Sequence, residues 1–242
     1  MLTEGDHIER LLAIGDIHGY LDNLTRLLDI VQPTEKDLVV FLGDYIDRGP
    51  DSCGVIDKLT EFERRHPHTL FLRGNHEQLL LDVVDFSQPD DYLLFLQNGG
   101  GSTLESYGGE LRNIPAEHIE FIRTTKLYYQ HHAEIIDPDS GTHKLRKFVF
   151  VHAGVRPQVA LEKQSREDLL GIRAQFLDSK YPLGESIIVH GHTPSEDVPG
   201  EIPYRIPLDS GVYLKGVISR RGRAPGGKLT CCDVLTREIW QV

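Results

Sequence analysis

The stretch LLAIGDIHG at residues 11–19 places an apolar run directly before a polar loop that is flanked by glycines. Residues 11–14 have the length and composition of a buried strand. Apolar residues then recur at helical spacing, namely Leu21, Leu24, Leu27, Leu28 and Val31. A strand followed by a loop and a helix is typical of an α/β core with a largely parallel sheet.

The same unit recurs along the chain. Further strands are predicted at residues 37–42, 69–72, 147–151 and 185–190. Helical patterns follow two of them, at 52–64 and from near Glu77. Each of the five strands ends in a polar loop; the loops are GDIHG (15–19), GDYIDRG (43–49), RGNHE (73–77), VHAG (151–154) and HGHTP (190–194). Because loops at the carboxyl ends of neighbouring strands converge on one crevice, we expect these side chains to lie together.

The residue types in the five loops predict a metal site. They combine carboxylates, imidazoles and an amide oxygen, with no thiolate nearby. Such a set suits two octahedral or five-coordinate divalent ions better than a tetrahedral structural zinc. Two ions bridged by one carboxylate would lie roughly 3.5–4 Å apart, a spacing suited to phosphoester hydrolysis.

Composition excludes several functional classes. The 242 residues carry a net charge of −11, which disfavours sequence-independent nucleic-acid binding because that binding depends on neutralising phosphates. No apolar run has the roughly 18 residues that a membrane span requires. The N-terminal residues do not resemble a signal peptide, and three cysteines, two of them adjacent, do not form a disulfide framework. We therefore expect a cytoplasmic protein.

The middle of the chain departs from the regular alternation. Residues of about 85–146 contain the glycine-rich run NGGG (98–101) and a helical pattern at 114–127 that begins near Pro115. We interpret 85–146 as a small helical cap inserted into a single domain that spans residues 1–242. The glycine run lacks a P-loop lysine, so we do not expect it to bind a nucleotide.

The five motifs, in this order, resemble the phosphoprotein-phosphatase branch of the calcineurin-like metallophosphoesterases. The resemblance covers roughly residues 11–214 and is greatest to bacterial Ser/Thr protein phosphatases and to symmetrical diadenosine tetraphosphatases. It implies two mixed β-sheets packed face to face, with helices outside.

The resemblance also implies a role for individual residues. Asp16 and His18 would bind the first metal ion, Asp44 would bridge the two ions, and Asn75, His152 and His192 would bind the second. His76 would act as the general acid and Asp47 would hold it by a hydrogen bond. Arg48 and Arg173 would bind the phosphate oxygens.

The implied reaction is hydrolysis of a phosphomonoester by direct attack of a metal-bridging hydroxide, without a phosphoenzyme. Phosphoserine or phosphothreonine on proteins is the expected substrate, and diadenosine tetraphosphate is the alternative. A catalytically silent binding protein on this fold is a remote alternative, which the intact metal and acid residues disfavour. Mn²⁺ is the expected metal, although Fe, Zn, Co or Mg suit such ligands as well. The sequence indicates no oligomeric state.

Three features have two interpretations. His190, two residues before His192, is a metal ligand or, as we expect, a supporting residue behind the ligands. Arg173 binds phosphate or is a surface arginine of a helix. The basic run RRGR (220–223) with Lys228 is a solvated hairpin or a docking patch for acidic substrates.

Overall fold

Strands and helices alternate through the first third of the chain, as the sequence predicts. The computed structural model describes residues 8–136, 142–196, 198, 204–214, 218–219, 222–223 and 226–242. The strands are β1 (Arg10–Ile14), β2 (Asp37–Phe41), β3 (Thr69–Phe71), β4 (Tyr128–Ile136), β5 (His143–Val151), β6 (Ile187–His190), β7 (Arg205–Pro207), β8 (Ile218–Ser219), β9 (Gly222–Arg223), β10 (Thr230–Asp233) and β11 (Ile239–Gln241). The α-helices are α1 (Leu21–Val31), α2 (Ser52–Arg65), α3 (Asn75–Phe86), α4 (Pro89–Phe95), α5 (Gly101–Ser106), α6 (Ala116–Thr124), α7 (Arg166–Gly171) and α8 (Ala174–Leu177).

Two mixed sheets form the centre of the fold. The first has the order β11-β10-β1-β2-β3, in which β1, β2 and β3 are parallel and β10 and β11 are antiparallel to their neighbours. The second has the order β4-β5-β6-β7, in which only β4 is antiparallel. β8 and β9 form a separate two-stranded hairpin. The predicted fold class, two packed mixed sheets, is confirmed.

Alternating side chains on β1 show how the layers pack. Leu11 and Ala13 point into a core shared with Phe148 and Phe150 of β5, between the two sheets. Leu12 and Ile14 point the other way, into a core shared with helices α1, α2, α3 and α6. A third core covers the outer face of β5 and β6 with α7 and α8. Because side chains alternate along a strand, each sheet is covered on both faces.

The adjacent cysteines of β10 follow the same alternation. Cys231 lies in the core beneath the helices, and Cys232 lies in the core between the sheets. Cys53, Cys231 and Cys232 are all free thiols. One thiol therefore lies on each face of β10, as expected for adjacent residues of a strand.

Local sequence explains the two helices that follow β1 and β2. In α1 the buried residues are Leu24, Leu27, Leu28 and Val31, which form one stripe at helical spacing. Helix α2 begins after Asp51, whose carboxylate accepts a hydrogen bond from the backbone N–H of Gly54 at 2.7 Å. That bond satisfies one of the free donors at the helix N-terminus.

The predicted cap extends too far along the chain. Helices α4, α5 and α6 do lie between α3 and the second sheet, and α6 falls within the helical pattern predicted at 114–127. Residues 128–136, however, form strand β4, which pairs with β5 over nine residues, so the interpretation of 85–146 as a helical insertion is wrong beyond Thr124. One of the half-buried positions of β4 is occupied by the polar residue His131. The alternation of apolar and polar residues that indicates a strand is therefore weak in this segment.

Two further expectations concern surface and membrane. Within the described ranges, no helix has the length and apolar character needed to cross a membrane. Arg220 and Arg221 of the predicted basic hairpin lie outside the described residues.

Candidate active site

The polar loops at the ends of five strands meet at one edge of the sandwich. The loops after β1 and β2 are joined by a hydrogen bond from the N–H of His18 to the carbonyl of Asp44, at 2.8 Å. The loops after β5 and β6 are joined by a bond from the N–H of Gly191 to the carbonyl of His152, also 2.8 Å. The two sheets therefore supply one crevice jointly, three loops from the first and two from the second.

Asp44 lies at the centre of the crevice and faces histidines on both sides. Its Oδ2 is 3.6 Å from Nε2 of His18 and 3.9 Å from Nε2 of His76. Its Oδ1 is 3.4 Å from Nε2 of His152. Two groups of ligand atoms, each within 4.8 Å of one another, share this carboxylate: His18, Asp44 and His76, and Asp44, His152 and His192. Asp44 is thus placed to bridge two cations.

Backbone carbonyls orient two of the imidazoles. Nδ1 of His18 lies 3.0 Å from the carbonyl oxygen of Ile46, and Nδ1 of His152 lies 2.9 Å from that of Leu42. A carbonyl only accepts, so Nδ1 donates in both cases and Nε2 is the ring nitrogen that faces Asp44. This carbonyl–imidazole arrangement is the usual support of a metal-binding histidine.

The remaining predicted ligands close the ring around Asp44. Oδ1 of Asn75, at the start of α3, is 3.0 Å from Nε2 of His152. Both carboxylate oxygens of Asp16 accept the backbone N–H of His192, at 3.2 and 3.0 Å. Each of the six residues predicted as ligands therefore contacts at least one other member of the set.

Several site residues adopt a backbone conformation that residues other than glycine rarely adopt. His18, Asp44, Asp47, Arg48 and His192 all have positive φ, between 49° and 72°. Each such residue costs of order 1–3 kcal/mol, and strain of this kind concentrates at functional sites. Half of the ten residues predicted for the site share it.

Two glycines permit close approach of backbone to carboxylate. A Cβ atom at Gly74 would lie 2.1 Å from Oδ1 of Asp44, and one at Gly191 would lie 2.1 Å from Oδ1 of Asp16. Since real contacts are never so short, only glycine fits beside these two carboxylates.

Burial sets unusual pKa values at the site. It raises the pKa of Asp16 well above its ordinary value, with Asp209 adding to the effect, and raises that of Asp209 to about 6. It lowers the pKa of His192 to about 2, and the charge of His152 contributes. Burial also disfavours charge on His152, but the carboxylate of Asp44 outweighs it and raises the pKa to about 10. Crowded buried carboxylates of this kind are stabilised by a cation.

The site fits divalent metal ions on two observations. First, Nε2 of His192 and Oδ2 of Asp209 are buried and have no hydrogen-bond partner among the described residues. Buried polar atoms without partners are rare in proteins and call for an ion or water. Second, the donors are imidazole nitrogens and carboxylate or amide oxygens, which suit borderline and hard divalent cations.

His76 and Asp47 form a buried pair beside the ligands. Nδ1 of His76 is 2.6 Å from Oδ2 of Asp47, and both side chains are fully buried. Burial lowers the pKa of His76, but the carboxylates of Asp44 and Asp47 outweigh it and raise the pKa above its ordinary value. Nε2 of His76 has no partner among the described residues and lies on the Asp44 side. The pair therefore presents Nε2 of His76 to the crevice, with Nδ1 held by the carboxylate of Asp47.

Two arginines border the crevice. Nη1 of Arg48 lies 2.6 Å from Nε2 of His18, and the guanidinium covers the ring of Tyr213 at 4.2 Å. Nη1 of Arg173 donates to Oγ1 of Thr193, next to His192, at 3.0 Å. Both guanidinium groups thus lie beside residues of the cluster.

His190 belongs to neither ligand group. Its Nδ1 is 3.1 Å from the carbonyl oxygen of Gly191, and its ring packs edge-on against Phe176 at 4.9 Å. Burial lowers its pKa to about 4. This position agrees with the expectation of a supporting residue.

Sequence reasoning missed four residues of the site. The carboxylate of Glu77 accepts backbone N–H groups of Gly74, Asp44 and Tyr45 at 2.8–2.9 Å, joining the loops after β2 and β3. Asp209, Tyr213 and Thr103 complete the set. Glu77 stands inside a motif that the sequence displayed, whereas Tyr213 and Thr103 come from distant segments without an obvious ligand pattern.

Comparison with known proteins identifies the family. The sequence model of the calcineurin-like phosphoesterases matches residues 9–216. Serine/threonine-protein phosphatase 1 of Salmonella typhimurium is 40% identical over 98 residues, which are 40% of this chain and 42% of that protein. A symmetrical bis(5'-nucleosyl)-tetraphosphatase of Legionella pneumophila is 41% identical over 78 residues, 32% of this chain and 27% of that protein.

A solved structure shares the fold over nearly the whole length of both chains. It is the crystal structure of a protein provisionally named a diadenosine tetraphosphatase, with a TM-score of 0.66 and 22% identity, covering 100% of this chain and 95% of that one. The sequence alignments span less than half of each curated relative. The chain belongs to the calcineurin-like phosphoesterase family.

Proposed function

We propose that the protein is a dimetal hydrolase of phosphomonoesters and that its substrates are phosphoserine and phosphothreonine residues of proteins. The observation that carries this proposal is the buried His76–Asp47 pair, in which Nε2 of His76 faces Asp44 and has no hydrogen-bond partner within the described part of the chain. An alkoxide leaving group is a strong base and must be protonated as it departs, which is the task of a general acid.

The metal ions would be held by the residues that surround Asp44. Asp16, His18 and Asp44 would bind one ion, and Asp44, Asn75, His152 and His192 would bind the other. When bound, the ions supply a hydroxide nucleophile at neutral pH and neutralise charge on the phosphate. Mn²⁺ is our choice, because carboxylate and amide oxygens suit it and the donor set includes no thiolate.

The protein's own side chains position the substrate and move the proton. Arg48 and Arg173 bind phosphate oxygens through their guanidinium groups, which match the geometry of a phosphate. Asp47 accepts the Nδ1 proton of His76 in a hydrogen bond, fixing the ring so that Nε2 delivers its proton to the leaving oxygen. Asp44 and Glu77 hold the loops that carry these groups together.

A groove beside the metal ligands gives the flanking parts of the substrate a place to bind. It encloses about 310 Å³ between α3 and α7 and begins at Asn75. Its walls include the apolar side chains of Leu79 and Leu170 and the charged side chain of Arg166. A groove of mixed character suits a peptide segment on either side of a phosphorylated residue.

Hydrolysis of a dinucleoside polyphosphate is the second candidate. The Legionella relative and the solved structure with the same fold both bear names of this activity. Its leaving group is a nucleotide phosphate, a far weaker base than an alkoxide, so it has less need of His76. That difference favours the phosphoprotein reaction. A catalytically silent protein is disfavoured because the sequence retains all six residues proposed as ligands and both residues of the His76–Asp47 pair.

The remaining expectations complete the proposal. We propose a cytoplasmic protein that acts as a single domain on phosphoproteins and binds neither nucleic acid nor membrane. The acidic net charge of −11 and the three free cysteines support this environment.

The test is a comparison of kcat/KM on two substrates in Mn²⁺ buffer. One is a phosphothreonine peptide and the other is diadenosine tetraphosphate. A preference for the peptide supports the phosphatase proposal, and a preference for the dinucleotide supports the second candidate. Two bound ions without activity on either substrate would contradict both.

A further inference from the structure

A threonine from the cap contacts the carboxylate of the His76–Asp47 pair. The hydroxyl of Thr103, in helix α5, donates to Oδ1 of Asp47 at 2.6 Å. The other oxygen of this carboxylate, Oδ2, holds Nδ1 of His76, also at 2.6 Å. Thr103 is fully buried. Each oxygen of Asp47 is thus engaged by one short hydrogen bond.

Ser52 adds a second hydroxyl to this set of hydrogen bonds. Its Oγ lies 2.9 Å from Oγ1 of Thr103. Because the Thr103 proton is given to Asp47, Ser52 is the donor between the two hydroxyls. The backbone N–H of Asp47 points at both hydroxyl oxygens, at 3.1 Å for Ser52 and 2.9 Å for Thr103. The hydrogen bonds from Ser52 through Thr103 and from His76 therefore converge on the carboxylate of Asp47.

The glycine-rich run before Thr103 seats the cap on the active-site loop. Gly99 has φ of +102°, and its carbonyl accepts the backbone N–H of Arg48 at 3.2 Å. A Cβ at Gly99 would lie 2.9 Å from Cγ of Arg48, so the close approach requires glycine. The run NGGG (98–101) thus brings the cap against the loop of Asp47 and Arg48, and Thr103 follows within one helical turn.

We propose that Thr103 is a positioning residue: its hydroxyl holds the Asp47 carboxylate in the orientation that accepts the Nδ1 proton of His76. The cap thereby supports the His76–Asp47 pair. The inference rests on the proposed role of His76 as general acid. The backbone of Asp47 has a positive φ of 72°, and the two hydrogen bonds described for its carboxylate come from His76 and Thr103, which lie outside its own loop. The cap provides that support across 56 residues of sequence.

The test compares leaving groups in variants at Thr103. Thr103→Val keeps the shape of the side chain and removes the hydroxyl. Loss of a hydrogen bond to a charged group predicts a fall of about 10- to 100-fold in kcat on phenyl phosphate, a poor leaving group. On 4-nitrophenyl phosphate, whose leaving group needs little protonation, the fall should be several times smaller. Thr103→Ser restores the hydroxyl and should restore both rates.

Two controls separate positioning from general loosening of the cap. Ser106 lies on the same helix and accepts the backbone N–H of Cys53 on α2 at 3.2 Å, without touching Asp47. Ser106→Ala should therefore lower both rates equally or not at all. Should Thr103→Val unfold the protein, Ser52→Ala removes the next hydroxyl of the chain and should show the same dependence on leaving group, with a smaller amplitude.

Two results would overturn the inference. One is an equal fall on both substrates in Thr103→Val, and the other is a leaving-group dependence in Ser106→Ala that equals that of Thr103→Val. His76→Asn distinguishes this failure from failure of the proposed function. A leaving-group dependence in His76→Asn that is absent from Thr103→Val refutes the inference alone. Absence of the dependence in His76→Asn removes the acid role and the inference with it.

Discussion

Replacement of His76 by asparagine separates the acid from the metal ligands. His76 is fully buried, its Nδ1 is 2.6 Å from Asp47, and its Nε2 is 3.9 Å from Oδ2 of Asp44. The same Nε2 lies in one of the two groups of potential ligand atoms, so geometry alone allows it to bind a metal or to donate a proton. The hydrogen bond from Nδ1 to a carboxylate suits either role.

The expected result follows from the acid role. General acid catalysis contributes typically 10²- to 10⁴-fold, or about 3–5 kcal/mol of barrier. His76→Asn should therefore lower kcat on a phosphothreonine peptide by about that factor and leave metal content unchanged. Asparagine is smaller and its amide can still donate to Asp47, so the fold should be retained.

The assay measures kcat and the number of metal ions per chain on the same preparation. The matched control is His132→Asn, because His132 is an exposed histidine of β4. The control should resemble the wild type in both measurements. Loss of one ion in His76→Asn would show that His76 is a ligand, and an unchanged kcat would show that it is not the acid.

Two other predictions concern stability and fit. Arg10 binds both oxygens of buried Asp37, at 3.0 and 2.6 Å; burial raises the pKa of Asp37, but Arg10 and Thr34 outweigh it and lower the pKa below its ordinary value. Because the pKa of Asp37 is lower in the folded state than in the unfolded state, the ionised carboxylate stabilises the fold at pH values above the unfolded pKa. Asp37→Asn should therefore lower the free energy of unfolding in urea by roughly 2 kcal/mol at pH 7, and this difference should shrink as the pH falls below about 4. A difference that does not change with pH would contradict this argument. Gly74→Ala should abolish turnover, since its Cβ would lie 2.1 Å from Oδ1 of Asp44, whereas Gly101→Ala, with no atom within 4 Å, should stay active; equal activity of the two variants would refute the packing argument.

The sequence predicted those parts of the fold that depend on local pattern. The buried strands contain continuous apolar runs, at residues 11–14 and 38–42, and the buried residues of α1 recur at helical spacing. The polar loops after these strands could be placed together because parallel strands end at a common edge. The sequence did not show that this edge is shared by two sheets, except through the family resemblance.

Strand β4 was missed because its pattern is weak. Tyr129, His131, Ala133 and Ile135 are half-buried at alternate positions of β4, and the residues between them are exposed. A histidine and an alanine among four inward positions give little apolar signal, and an edge strand buries less surface than a central one. The predicted cap therefore extends beyond Thr124 and includes strand β4 of the second sheet.

The supporting residues of the site were missed for a different reason. Thr103 contacts Asp47 although 56 residues of sequence separate them. Tyr213 is even more distant in sequence from His18, yet their ring centroids lie 5.0 Å apart. A threonine or a tyrosine in isolation has no feature that distinguishes it from a surface residue. Only the tertiary structure brings such residues to the groups that they support.

The metal stoichiometry of Asp44→Asn tests the central claim most directly. Asp44 presents Oδ2 to His18 at 3.6 Å and Oδ1 to His152 at 3.4 Å, so one carboxylate serves both ligand groups. The wild-type chain should bind two Mn²⁺ ions, and Asp44→Asn should weaken both, because each loses a charged ligand. Retention of two tightly bound ions in Asp44→Asn, or loss of only one, would contradict a dinuclear site bridged by Asp44.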